Sequence, residues 1–143
     1  MVVKIVNKSN NPLPKYETSG SAGMDVRAFL EEPMVIAPHE RKLVPTGLYV
    51  SLPEGYEMQI RARSGLAFKK GLILPNAPGT VDSDFRGHVH VILANISTET
   101  HTIQNGDRIA QLIFARYQQV NWQEVEVLDE TERGEGGFGS TGV

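Results

Sequence analysis

Fourteen glycines and eight prolines punctuate this chain of 143 residues at short intervals. That spacing disfavours long helices, and the stretches between are rich in strand formers. Leu43 to Leu52 is one such stretch. Pro53-Glu54-Gly55 follows, with Pro and Gly where a type I turn takes them. Tyr56 to Arg61 alternates and reads as the returning strand. Val89 to Ala94 is a further strand. Thr100 to Gln104 and Asp107 to Phe114 flank Asn105-Gly106, a pair that readily supplies the two positive φ angles of a type I′ hairpin. Val120 to Leu128 alternates again. Many short strands with regular turns predict an all-β sandwich or barrel. One short helix fits: Ser64-Gly65 start it, Leu66 to Lys70 form its turns and Gly71 ends it.

A chain of this length is expected to be one domain and to bury a sizeable core. No apolar run is long enough for a transmembrane helix. The start, Met1 to Lys8, carries no leader pattern, so the expected location is the cytoplasm and no membrane partner is expected. The absence of cysteine excludes disulfides, thiolate metal sites and cysteine nucleophiles. A net charge of −3 does not favour a nucleic-acid partner. Charge is unevenly spread, however. Residues 61–70 hold Arg61, Arg63, Lys69 and Lys70 and no acid, whereas residues 124–135 hold six acids and one base. The chain can therefore hold an anion locally while being acidic overall.

The last segment differs from the rest. Gly134, Gly136, Gly137, Gly139 and Gly142 make five of ten residues glycine, which is costly to order. The expected organisation is a β domain over 1–132 and a glycine-rich arm over 133–143. Beyond Leu128, 15 residues span about 50 Å when extended, enough to reach past the arm's own barrel.

Several places along the chain carry groups suited to chemistry. Arg63-Ser64-Gly65 lies at the expected helix start, where free N–H groups, a hydroxyl and a guanidinium suit phosphate. An ordinary helix cap with a surface arginine reads equally from the segment alone. Gly79-Thr80-Val81-Asp82-Ser83-Asp84-Phe85-Arg86-Gly87 sets two carboxylates beside an aromatic ring. An aspartate there can orient and deprotonate water, or simply belong to a turn paired to Arg86. In the arm, Arg133 offers a charge clamp, Phe138 a flat face for a base, and Ser140 and Thr141 hydroxyls. The arm is no Walker loop, since Gly-Lys-Ser/Thr is missing. Asp25 lies among apolar neighbours, as a turn residue or a buried acid with a partner. Gln111 interrupts the apolar stretch Ile109 to Phe114, as a satisfied core amide or a site residue. His88 and His90 would share a strand face, too few for a metal site.

In order, Ala22–Ala28, Arg63–Gly71, Gly79–Gly87, Arg108–Ile113 and Arg133–Gly142 resemble the five motifs of the trimeric dUTPases. The resemblance spans nearly the whole chain. It implies an all-β, jelly-roll-like distorted barrel and a homotrimer with sites at subunit contacts, each closed by a neighbour's arm. It implies hydrolysis of dUTP to dUMP and pyrophosphate, which keeps uracil out of DNA and supplies dUMP for thymidylate synthesis. Asp82 would activate water for attack on the α-phosphorus, and Gln111 would help hold the phosphates or that water. Ser64 and Gly65 would bind the phosphate chain, with Arg63 and Arg108 forming supporting ion pairs. Asn76 would bind uracil, aided by the hairpin of Gly79, Thr80, Val81 and Phe85. Asp25 would reach Mg2+ through water. Arg133, Ser140 and Thr141 would grip the terminal phosphate, while Phe138, beside Gly139, stacks on uracil.

Two positions depart from the family pattern. Phe85 stands where tyrosine is usual, keeping the ring that packs on deoxyribose. His88 stands where an acid or amide is usual. Within the same fold, dCTP deaminases use a glutamate base on a strand; Val89 to Asn95 holds no acid. A regulatory relative that only binds the nucleotide is the other alternative.

Overall fold

The structure is a computed structural model and describes residues 1–139 and 142. Among these, the chain forms β1 Lys4–Asn7, β2 Gly23–Arg27, β3 Met34–Ile36, β4 Arg41–Pro45, β5 Leu48–Ser51 and β6 Tyr56–Arg61. Helix α1 Ser64–Lys70 follows, then β7 Leu72–Ile73, β8 Gly79–Val81, β9 His90–Asn95, β10 His101–Ile103 and β11 Arg108–Arg116. One antiparallel sheet has the order β2-β11-β6-β8 and another β4-β9-β7; β1-β5 and β3-β10 are two-stranded ribbons. The sheets wrap one apolar core as a distorted barrel that no single sheet closes.

Alternation positions the core. Along β9, Val91, Leu93 and Asn95 point inward while His90, Ile92 and Ala94 are partly exposed. Met58 and Ile60 of β6 meet Ile109 and Leu112 of β11 in the same core. Each fully buried side chain of this size is worth about 1.5–3 kcal/mol. Asn95 is the buried polar exception, and its amide is satisfied. Nδ2 donates to the carbonyls of Ile36 (2.9 Å) and Glu99 (2.7 Å), and Oδ1 accepts from Ser97 N (2.9 Å).

Helix α1 forms where the sequence places it, and Gly71 ends it in the left-handed conformation (φ 61°) with Lys69 and Lys70 in the last turn. Ser64 does not cap it: the flanking position is Arg63, which makes no side-chain cap. Three expectations are corrected. Leu43 to Leu52 is two strands, broken at Thr46-Gly47, because Gly47 turns the chain with φ 73°. Asn105-Gly106 does make a turn, with Asp107 N donating to Gln104 O (3.1 Å). Only Gly106 has positive φ, however, so the turn is not type I′. Its flanking strands enter different sheets, β10 with β3 and β11 with β2 and β6. Finally, residues 120–128 form no strand and are exposed throughout. Their alternation joins no sheet among the described residues.

Gly47 is a point of close approach. A Cβ there would stand 2.7 Å from Ser9 Cβ and 2.9 Å from Ser9 N, on a left-handed backbone. Gly47→Ala is expected to cost about 2–4 kcal/mol from backbone strain plus overpacking, read as a lowered Tm in thermal denaturation.

Candidate functional site

The candidate residues gather in two places on the barrel. The first is the β2-β11 junction. Asp25 lies opposite Gln111 in the β2-β11 register, and Arg61 lies opposite Gln111 across β6. Arg63, just beyond the end of β6, reaches back to Asp25, its Nε 3.1 Å from Oδ1. Arg108 Nη1 lies 3.5 Å from Oδ2, and Gln111 Nε2 donates to Oδ1 at 3.4 Å. The Asp25 side chain is only 15% exposed, so two guanidiniums and an amide offset its desolvation. Asp25 is therefore the partnered acid rather than a turn residue. Arg63 also donates from Nη1 to Arg108 O (3.3 Å). These bonds fix the chain just before α1, where Ser64 and Gly65 stand exposed. Arg27, Arg63, Lys70 and Arg108 line one groove beside α1, an excess of positive charge facing solvent.

The second place is the pocket between β8 and β9. Asn76, Gly79, Thr80, Val81, Asp82 and Phe85 all line it. Gly79 pairs with Ile60 of β6. A Cβ there would come 3.2 Å from Asn76 Nδ2 and 3.3 Å from Ile60 Cβ, so those neighbours would have to shift slightly to admit it. Val81 is 7% exposed, so it offers backbone rather than side chain. Residues 79–85 do not form a paired hairpin: β8 bonds to β6, and β9 belongs to the other sheet. A turn links them instead, with Phe85 N donating to Asp82 O (3.2 Å). The Asp82 carboxylate is exposed and has no hydrogen-bond partner among the described side chains, which leaves it free to take a proton. Arg86 does not pair with Asp84; its Nη1 donates to the carbonyls of Ser83 (2.7 Å) and Phe85 (2.9 Å). The Phe85 ring lies across Gly87, where a Cβ would meet Cζ at 2.6 Å.

His88 and His90 also line this pocket, which the sequence did not reveal. Gly47 N donates to His88 Nε2 at 2.8 Å. Burial, the neighbouring His90 and Lys8 all push the His88 pKa below its ordinary value.

The first place centres on the β2-β11 side of the β2-β11-β6-β8 sheet and the second on its β8 edge. The arm joins neither by any hydrogen bond among the described residues. Arg133 Nε donates to Gly136 O (2.8 Å) within the arm, and Phe138 stands fully exposed with φ 52°. Ser140 and Thr141 lie outside the described residues. The pocket volume of ≈ 240 Å³ falls below the roughly 300–1,000 Å³ usual for a ligand site. Among the described residues, these groups do not converge on one enclosed site.

The dUTPase family model matches residues 9–142. The chain belongs to the dUTPase family. Among dUTPase relatives, the deoxyuridine 5'-triphosphate nucleotidohydrolase of Finegoldia magna is 58% identical over 142 residues, covering 99% of each chain. A solved dUTPase mutant of Staphylococcus bacteriophage 80alpha, bound to dUpNHpp, is 26% identical and superposes with a TM-score of 0.85 over 99% of each chain. A dUTPase mutant of phage phi11 of S. aureus, described with a structural Mg(II) ion, is 22% identical with a TM-score of 0.81 over 91% of this chain and 100% of that one. The five segments that resemble dUTPase motifs sit on β2, on α1, on β8 and the link after it, on β11 and in the arm.

Proposed function

We propose that this protein hydrolyses dUTP to dUMP and pyrophosphate at sites shared between three copies of the chain. The observation that carries the reading is Asp82, an exposed and unpartnered carboxylate at the wall of the pocket lined by Asn76, Thr80 and Phe85. That pocket suits a nucleoside. Asn76 and the backbone of residues 79–81 offer donors and acceptors to the uracil edge, and the Phe85 ring offers a flat wall to the deoxyribose.

Asp82 accepts a proton from a water molecule, whose oxygen bonds to the α-phosphorus. The bond from that phosphorus to the bridging oxygen breaks, and pyrophosphate leaves with the electron pair. Charge stabilisation and positioning dominate such chemistry. Ser64, Gly65 and the groove of Arg27, Arg63, Lys70 and Arg108 supply them along the phosphate chain. Arg63 acts mainly through Asp25, since its Nε is engaged there. Gln111 steadies the same carboxylate and faces the phosphates from β11.

The donor set fits a magnesium ion carried by the triphosphate rather than caged by protein. Among the described residues no group of three His, Asp or Glu side chains converges, and both Asp25 oxygens already face arginines. Asp25 would hold it through its water shell, and the ion would neutralise phosphate charge.

The separation of these parts within one chain supports a trimer. The pocket of one copy, the Asp25 junction of a second and the arm of a third would complete one site. Residues 120–128 support this reading. They carry a strand pattern yet expose Trp122 at 93%, Val127 at 81% and Leu128 at 80%. Exposed apolar surface of that extent marks an interaction site, here with another copy. In this arrangement Arg133 reaches the terminal phosphate and Phe138 covers uracil; Gly139, Ser140 and Thr141 complete the arm's contacts.

Incubation of the protein and magnesium with dUTP, UTP, dCTP or dTTP tests the reading. Pyrophosphate is expected from dUTP alone. Release from dCTP, or binding of dUTP without release, rejects it. A subsidiary expectation concerns Phe85→Tyr, which restores only a hydroxyl to an intact ring. The dUTP/UTP ratio of kcat/KM is expected to move by no more than one hydrogen bond's worth, about 0.5–1.5 kcal/mol.

A further inference from the structure

Gly47 N–H is buried at the break between β4 and β5, and its acceptor is the side chain of His88 (2.8 Å). The other polar atom of Gly47 is also spoken for, since Lys8 N donates to Gly47 O at 2.8 Å. The neighbours are stitched to the same strand. Thr46 Oγ1 donates to Val89 O (2.6 Å), and Val89 N donates to Leu48 O (2.9 Å). His88 thus fastens the end of the loop that carries Asp82 and Phe85. Gly87, one residue before it, is the surface on which the Phe85 ring lies. An imidazole can accept from Gly47 only while Nε2 is unprotonated, with its proton on Nδ1.

We propose that His88 is a positioning residue for the nucleoside pocket, its neutral ring holding the Phe85 wall in place, so that substrate binding weakens in acid. This deepens the dUTP reading and rests on it. Protonation would place a second donor against Gly47 N–H and leave that buried group without an acceptor. It would also set an imidazolium beside a second imidazole and near Lys8. The His90 ring lies 4.1 Å away, its Nδ1 donating to His88 O (3.0 Å). Lys8 Nζ sits 4.8 Å from the centre of the Tyr49 ring, on which His88 stacks at 5.0 Å. The Tyr49 π face, on which the ring stacks, and Asp82, which lines the same pocket, favour the charged form. Burial, His90 and Lys8 outweigh them and favour the neutral ring. The sign follows. A histidine whose folded pKa lies below 6.5 binds fewer protons when fastened than when released. The fastening is complete above that pH and is lost as pH falls below it.

The test compares KM and kcat for dUTP between pH 5 and 8 in the wild type, His88→Gln and His88→Leu. A glutamine carbonyl can accept from Gly47 and does not titrate. The wild-type KM is expected to rise about three- to tenfold more than that of His88→Gln on acidification, with kcat profiles alike. Titration of the nucleotide phosphates affects both proteins equally and cancels in the ratio. His88→Leu is expected to have the raised KM already at pH 8. Identical KM profiles for wild type and glutamine variant overturn the proposal. Should the wild type not hydrolyse dUTP at all, the functional reading fails separately. The Gly47 amide resonance then decides the fastening: a shift that follows a histidine titrating below 6.5 supports it, and a pH-independent resonance overturns it.

Discussion

Asp82→Asn is expected to lower kcat for dUTP by at least about 10²–10⁴-fold, the usual worth of a positioned general base. Binding of dUTP, read by calorimetry on the inactive variant, is expected to change little. The amide has nearly the same shape and still presents an oxygen to the pocket, so only the proton acceptor is removed. The fold has little to lose, because the carboxylate is exposed and pairs with no described side chain. Tm should therefore stay within a degree or two of wild type. Retained turnover would move the base elsewhere, and Asp84 would be the next residue to change. Loss of binding together with turnover would instead make Asp82 a substrate ligand.

Deletion of residues 133–143 is expected to leave a folded protein that hydrolyses dUTP at least about 10²-fold more slowly, since both a charge clamp and a base cover are lost. The described residues of the arm contribute nothing to the core: Arg133 bonds within the arm and Phe138 is wholly exposed. Unchanged Tm with lost activity is the expected pair of results. Wild-type turnover in the truncated protein would remove the arm from the mechanism. Mixing adds a sharper test of shared sites. The truncated chain retains Asp82, and Asp82→Asn retains the arm. Unfolded together and refolded, the two inactive proteins should regain activity if arms cross between copies. No recovery would confine each arm to its own chain.

Local rules made much of the fold legible. Gly71 ends α1 in the left-handed conformation expected of a glycine cap. Tyr56 to Arg61 alternates and forms β6. β2, β7 and β8 carry no such signal, because strands of two to five residues are too short for a period to emerge. Asn105-Gly106 was legible as a turn but not as a connection between sheets. Turn chemistry sets the local path, whereas the partner of each strand depends on residues far along the chain. Residues 120–128 show the same limit more strongly. They alternate, yet among the described residues they join no strand and stay exposed.

The residue types of the candidate site were written in the sequence: an acid at Asp82, a ring at Phe85, a hydroxyl at Ser64, an arginine and an aromatic in a glycine arm. These follow from chemistry that admits few side chains, so order and spacing suffice. Which of them meet was decided by tertiary structure alone. Asp25 finds Arg63 and Arg108 because β2 lies against β11. His88 finds Gly47, 41 residues earlier in the chain, because the strand break at Gly47 folds back on Val89. Both partnerships come from long-range packing, where the energy of a contact depends on which backbone is brought beside it, and no local pattern of residues encodes that.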